Sequence, residues 1–161
     1  MSPHHPTAVD PAGPEPADAI ALLQADHEAV GRLFAAYGAD ESVARKRALV
    51  AQICSVLRVR TQIEEEIFYP EVMMALRDKL LVPQARAEHG GVRALMAQLQ
   101  GAELDGATYD AKVQVLSDHV RHHARDAHAA MFPQAKATSL DMMDIGARMA
   151  ARRDDLLARA A

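Results

Sequence analysis

The stretch Arg60-Thr61-Gln62-Ile63-Glu64-Glu65-Glu66-Ile67-Phe68-Tyr69-Pro70 decides the fold, because it closes a helical pattern whose apolar stripe carries two charged residues. The stripe runs Val50, Ile53, Leu57, Arg60, Glu64, Ile67 in steps of three and four, which puts all six side chains on one helical face. That face points into a core. An unpaired charge there costs roughly several kcal/mol, so Arg60 and Glu64 must pair with each other, with other polar groups, or with a bound cation.

Working outward, the same spacing recurs. Upstream, from an N-cap at Asp18, Ile20, Leu23, His27, Val30, Phe34 and Tyr37 form a stripe that ends at Gly38, with His27 in its middle. The helix containing the central stretch is expected to start near Glu41 and to break at Pro70, since the residue before a proline avoids the helical region. A short continuation covers residues 71–79. Val82-Pro83 opens a third helix with the stripe Val82, Ala85, His89, Val92, Met96, Leu99. Gly90-Gly91 weakens that helix by about 2 kcal/mol on propensity alone, which points to close approach of a neighbouring helix or a small ligand. A turn over residues 101–108 leads to a fourth helix with Val113, Leu116, Val120, His123, Ala127 and Ala130 inward, stopped by Phe132-Pro133. Ser139 is expected to cap a fifth segment reaching about Ala160, its weaker face made by Leu140, Met143, Ala147, Ala150 and Leu156-Leu157. No period-two alternation is long enough for a strand.

The fold class is therefore all-α: an antiparallel up-down four-helix bundle with an additional C-terminal helix and a disordered N-terminal tail. The tail is residues 1–16, which hold five prolines and almost no large apolar side chain. The bundle spans 17–135, and 136–161 is a helix packed on its outside. His4 and His5 fall in the tail, where no fixed geometry would hold a metal.

Composition narrows the function. In 161 residues, 22 acidic and 18 basic side chains are interspersed, so no basic stripe is present to follow a phosphate backbone and nucleic acid is not an expected partner. The first basic residue is Arg32, and no apolar run approaches the ~18 residues a membrane span needs, so the expectation is a cytoplasmic protein without membrane contact. Cys54, the one cysteine, excludes an internal disulfide and reads as an inert, half-buried thiol. No phosphate-binding glycine loop and no nucleophilic triad are found.

Each of the four stripes carries a polar group at its middle: His27, then Arg60 and Glu64, then His89, then His123. Imidazoles and a carboxylate projecting inward from different helices suit iron, zinc or manganese. No Glu precedes a His by three, so the paired motif of ferritin-type carboxylate sites is absent. His119, one turn before His123, and Asp126, three residues after it, share a flank of the fourth helix as accessory ligands; His122 and His128 point elsewhere.

Asp26-His27-Glu28, IEEEIFYP at 63–70, Glu88-His89, and His122-His123 followed by Met131-Phe132-Pro133 together resemble the hemerythrin-like HHE cation-binding family over roughly residues 19–135. The resemblance implies a four-helix bundle with a non-haem di-iron centre and roles in oxygen, nitric oxide or peroxide handling, iron handling and redox sensing. The family's ligands fall on His27, Glu64, His89 and His123. The histidine it expects four residues before Glu64 is Arg60, and the bridging carboxylate it expects four residues after His123 is Ala127. Guanidinium has no free lone pair and alanine has no ligand atom. Arg60, one turn from Glu64, is thus expected to stand in for one cation, leaving one iron ion in preference to two, with zinc or manganese as substitutes.

The expected function is a metal-binding protein of redox, oxygen or stress response, with O2, NO or peroxide as small ligands and no assigned enzymatic activity or protein partner. Two alternatives accompany it. One is a metal-free interaction module with an Arg60–Glu64 salt-bridged core; the other is a peroxide-decomposing non-haem iron enzyme.

Overall fold

A computed structural model of the chain describes residues 17–101 and 106–160. The expected tail at 1–16 and most of the expected turn after Gly101 lie outside the described residues. Among those described there is no strand. Four 21-residue helices, α1 (Ala19–Ala39), α2 (Val43–Ile63), α4 (Leu81–Gly101) and α5 (Gly106–Asp126), make the bundle, with α3 (Tyr69–Ala75), α6 (Phe132–Lys136) and α7 (Met142–Ala160) around them. Helix α1 lies against α2 and α5, and α4 against α5 and α2, so each long helix has two neighbours.

Local chemistry sets the boundaries. The Asp18 carboxylate accepts from the Ala21 amide at 2.8 Å and caps α1, as its sequence position implies. The second cap is Ser42, which accepts from Arg45, so α2 starts two residues later than Glu41. Helix α7 begins at Met142 because Asp141, not Ser139, accepts from the Asp144 amide.

Neither proline stops its helix. Pro70 follows a π-helical turn, π1 (Glu64–Phe68), in which the Tyr69 amide reaches back five residues to the Glu64 carbonyl. Pro133 follows the equivalent π2 (Ala127–Met131), where Phe132 donates to Ala127. In a regular α-helix each proline ring would clash with the carbonyl four residues back. The wider turn lets the chain continue past it, and the extra residue shifts the inward stripe by one. Phe68 is therefore buried where Ile67 was expected, and Met131 where Ala130 was.

Two apolar clusters fill the bundle. Val30, Ile53, Leu57, Met96 and Leu116 belong to one, and Leu23, Phe68, Val72, Val82 and Phe132 to the other. Between them lies the polar layer formed by Arg60, Glu64, His89 and His123, each under 5% exposed. Cys54 is fully buried rather than half-buried, in the first cluster. Burial raises its thiol pKa, in keeping with an unreactive side chain.

Helix α7 packs on α1, α2 and π1 through Ile145, Gly146 and Met149, one step round from the face expected, leaving Met143 and Ala147 exposed. The register is set by Gly146. A Cβ there would lie 2.3 Å from the Ala17 carbonyl oxygen and 2.8 Å from the Ala19 nitrogen, both backbone atoms, so only glycine admits this approach. Gly90-Gly91 is different: nothing lies within 4 Å of a Cβ at Gly90, and only the His119 ring, at 4.0 Å, near one at Gly91. No close helix approach accounts for that pair. Gly146→Ala is accordingly expected to cost about 1–3 kcal/mol in urea unfolding, by overpacking. Gly90→Ala, with open space and a helical backbone, should gain about 0.5–1 kcal/mol.

Candidate metal centre

The centre begins at the junction of α2 and π1. Arg60 and Glu64 are one turn apart, and Glu64 spans the polar layer with its two oxygens: Oε1 lies 3.4 Å from Arg60 Nε, while Oε2 accepts from the Tyr69 hydroxyl at 2.7 Å. Tyr69 is five residues after Glu64. In an α-helix that spacing turns two side chains well apart; the π-turn brings them onto one face.

The Tyr69 oxygen also lies 3.1 Å from His89 Nε2 and 3.3 Å from His123 Nε2. These two nitrogens are 3.9 and 3.8 Å from Glu64 Oε2. On the far side of each ring a carboxylate fixes the tautomer. Glu65 faces His89 Nδ1 at 3.1 Å and is itself paired with Arg93, and Glu88 accepts from His123 Nδ1. With Nδ1 of each ring donating to its carboxylate, both Nε2 atoms present lone pairs to the centre. Two imidazole lone pairs and a carboxylate oxygen thus converge on one hydroxyl, which has a single hydrogen to share.

That excess of acceptors fits a cation. One atom each from Glu64, His89 and His123 lies within 4.8 Å of the others, all three residues are buried, and the carboxylate-backed imidazoles are the arrangement that orients metal-bound histidines in general. Electrostatics agree. Burial alone would lower the His123 pKa, yet hydrogen bonding and charge from Glu64 and Glu88 raise it. Burial likewise opposes the Glu64 charge, but His123, Arg60 and His89 bring its pKa down to about 2. The Tyr69 hydroxyl is pushed up, by burial first and then by the Glu64 charge, so it stays protonated.

The other half of the layer has different chemistry. His27 is not brought together with Glu64, His89 and His123. It stacks on Phe132, with ring centroids 6.1 Å apart, and its Nδ1 lies 3.4 Å from His128 Nε2. Burial, then the Arg60 guanidinium, lowers its pKa to about 3, so the ring is neutral. His27 Nε2, Arg60 Nε and Nη1 and Glu64 Oε1 are buried without hydrogen-bond partners among the described residues. Ala127 is buried in the position equivalent to Glu64 and offers no ligand.

The accessory positions lie outside the centre. His119 is exposed beside Gly91, and Asp126 is exposed and paired with His122 at 3.1 Å. His128, expected to point elsewhere, turns toward His27 because π2 adds a residue to the turn that carries it. Tyr69, Glu65 and Glu88 were not singled out from the sequence. A signal for Tyr69 existed in the correspondence of Phe68-Tyr69-Pro70 with Met131-Phe132-Pro133, which places one hydroxyl where the other half has none.

These features define a helical bundle with a buried histidine–carboxylate cluster. The family model for the hemerythrin HHE cation binding domain matches residues 18–135, and the chain belongs to that family. A similar solved structure is a hemerythrin HHE cation binding domain-containing protein, the Rv2633c homolog from Mycobacterium kansasii. It has a TM-score of 0.77 and 22% identity, and the match covers 89% of this chain and 90% of that one. That likeness speaks to the fold alone. No curated protein is similar enough to count as a relative.

Tyr69→Phe tests the converging acceptors. In chelator-treated protein it removes the one shared hydrogen and is expected to cost about 1–3 kcal/mol in urea unfolding, as for any buried acceptors left unpaired.

Proposed function

We propose that the chain holds one divalent metal ion, non-haem iron in preference to zinc or manganese, through Glu64, His89 and His123, with Arg60 supplying the positive charge of a second ion. The observation that carries this reading is the convergence of Glu64 Oε2 and the two Nε2 atoms on a single hydroxyl. Arg60 and Ala127, in the other half, offer no ligand for a second ion. The role we infer is that of a cytoplasmic protein of redox, oxygen or stress response, with O2, NO or peroxide as the small ligand. Membership of a cation-binding family is consistent with it, and among the described residues no helix is long and apolar enough to cross a membrane.

Bound iron would supply an exchangeable coordination position and a redox couple. The chain's own residues do the rest. Glu65 and Glu88 orient the two rings, and Tyr69 holds a proton at its hydroxyl beside Glu64. Against burial, His123 and then Arg60 keep Glu64 ionised, and Phe68 and Phe132, both buried beside the layer, exclude water.

Elemental analysis of protein made in iron- or zinc-supplemented medium, and freed of loosely held surface ions by gel filtration, should give one tightly bound metal ion per chain, lost in His89→Ala and raised to two in the double variant Arg60→His with Ala127→Glu. Two tightly bound ions in the parent chain would contradict the proposal.

A second reading has an observation of its own. The buried Arg60–Glu64 pair at 3.4 Å leaves a salt-bridged core without need of metal in that half, as in an interaction module. It predicts a melting temperature indifferent to chelator. The metal-binding reading predicts a fall of about 5–10 °C on metal removal, by mass action.

A further inference from the structure

A second group of metal-binding side chains lies on the surface, outside the centre. Glu88 on α4 faces His122 and Asp126 on α5, and one ligand atom from each lies within 4.8 Å of the others. His122 and Asp126 are one turn apart on the same helical face, with Nε2 and Oδ2 3.1 Å from each other. Their side chains are 68% and 55% exposed, so water can complete the coordination of an ion held there.

Two features set this trio apart from an ordinary acidic surface. It groups one imidazole with two carboxylates from two helices, a ligand set that suits zinc, iron(II) or manganese(II). Glu88 also belongs to both places: its Oε2 accepts from His123 Nδ1, and it is one of the three residues of the outer group. A cleft of about 300 Å³ runs beside the trio, lined by Glu88, Asp126 and Ala127, with His123 in its wall.

We propose that Glu88, His122 and Asp126 form a solvent-facing divalent-cation site at the mouth of this cleft, from which the central site is loaded. The loading role rests on the metal-binding reading of Glu64, His89 and His123; the outer site itself does not. Exposure of two of the three ligands makes the ion there exchangeable. A carboxylate shared with His123 keeps the delivered charge beside the ring it must reach. Capture at the mouth concentrates cations where the cleft begins, as charge-lined clefts do for their ligands.

The test uses cobalt(II) added to the metal-free, full-length chain, followed by calorimetry and by visible absorption. Two classes of site are expected. The variant His122→Ala with Asp126→Asn changes only exposed side chains; it should lose the weaker class and keep the tighter one, filling it about tenfold more slowly. His89→Ala should do the reverse, keeping the weaker class. An unchanged weaker class in the double variant would overturn the outer site. Loss of that class with the centre still filling at the parental rate would overturn the loading role. If the parent chain has a single class, removed by the double variant and untouched by His89→Ala, the outer site stands and the central reading fails.

Discussion

Two imidazole nitrogens and one carboxylate oxygen share a single hydrogen, that of Tyr69, in the middle of a helical bundle. Unshared lone pairs buried together are costly, and the fold answers that cost with positive charge. Part comes from Arg60 behind Glu64, and the Glu64 and Glu88 carboxylates, which outweigh burial at His123, favour further positive charge beside that ring. Carboxylates behind both rings prevent the imidazoles from turning their N–H groups inward to relieve the crowding. The centre is thus held in a state that attracts a cation.

The π-turns make this arrangement possible. Each inserts a residue just before a proline, so the aromatic side chain five positions on returns to the face of the residue that opened the turn. In the first half that pairs Tyr69 with Glu64. In the second it pairs Phe132 with Ala127, and there the polar equipment is missing. The two halves of the bundle share one backbone device, yet only the first has a carboxylate opening the turn and a hydroxyl closing it. The other is filled by a neutral His27, a ring stack and the Arg60 guanidinium. Helix α7, beyond the part of the chain matched by the family model, packs on α1, α2 and π1.

Much of this was legible in the sequence. Steps of three and four gave the four long helices, and the polar interruptions at Arg60, Glu64, His89 and His123 marked the buried layer, because a charged or imidazole side chain in mid-stripe has few places to go. What escaped has a common cause. Periodicity assumes 3.6 residues per turn, so a π-turn is invisible to it, and everything past Glu64 or Ala127 on the same helix was read one position out. Tyr69 and His128 were missed for that reason. Glu65 and Glu88 escaped differently: each lies next in sequence to an inward residue and on a different helix from its partner, and only tertiary packing brings them behind His89 and His123. The face of α7 was misjudged because a single glycine contact, not the apolar pattern, sets its register.

The central claim is that positive charge in this bundle is divided between one metal ion and one guanidinium. Anomalous diffraction from crystals grown with iron(II) under anaerobic conditions tests it most directly. The account predicts one strong peak in the buried layer, among Glu64, His89 and His123, and none beside Arg60. Two peaks in the layer, or a single one on the Arg60 and His27 side, would contradict it.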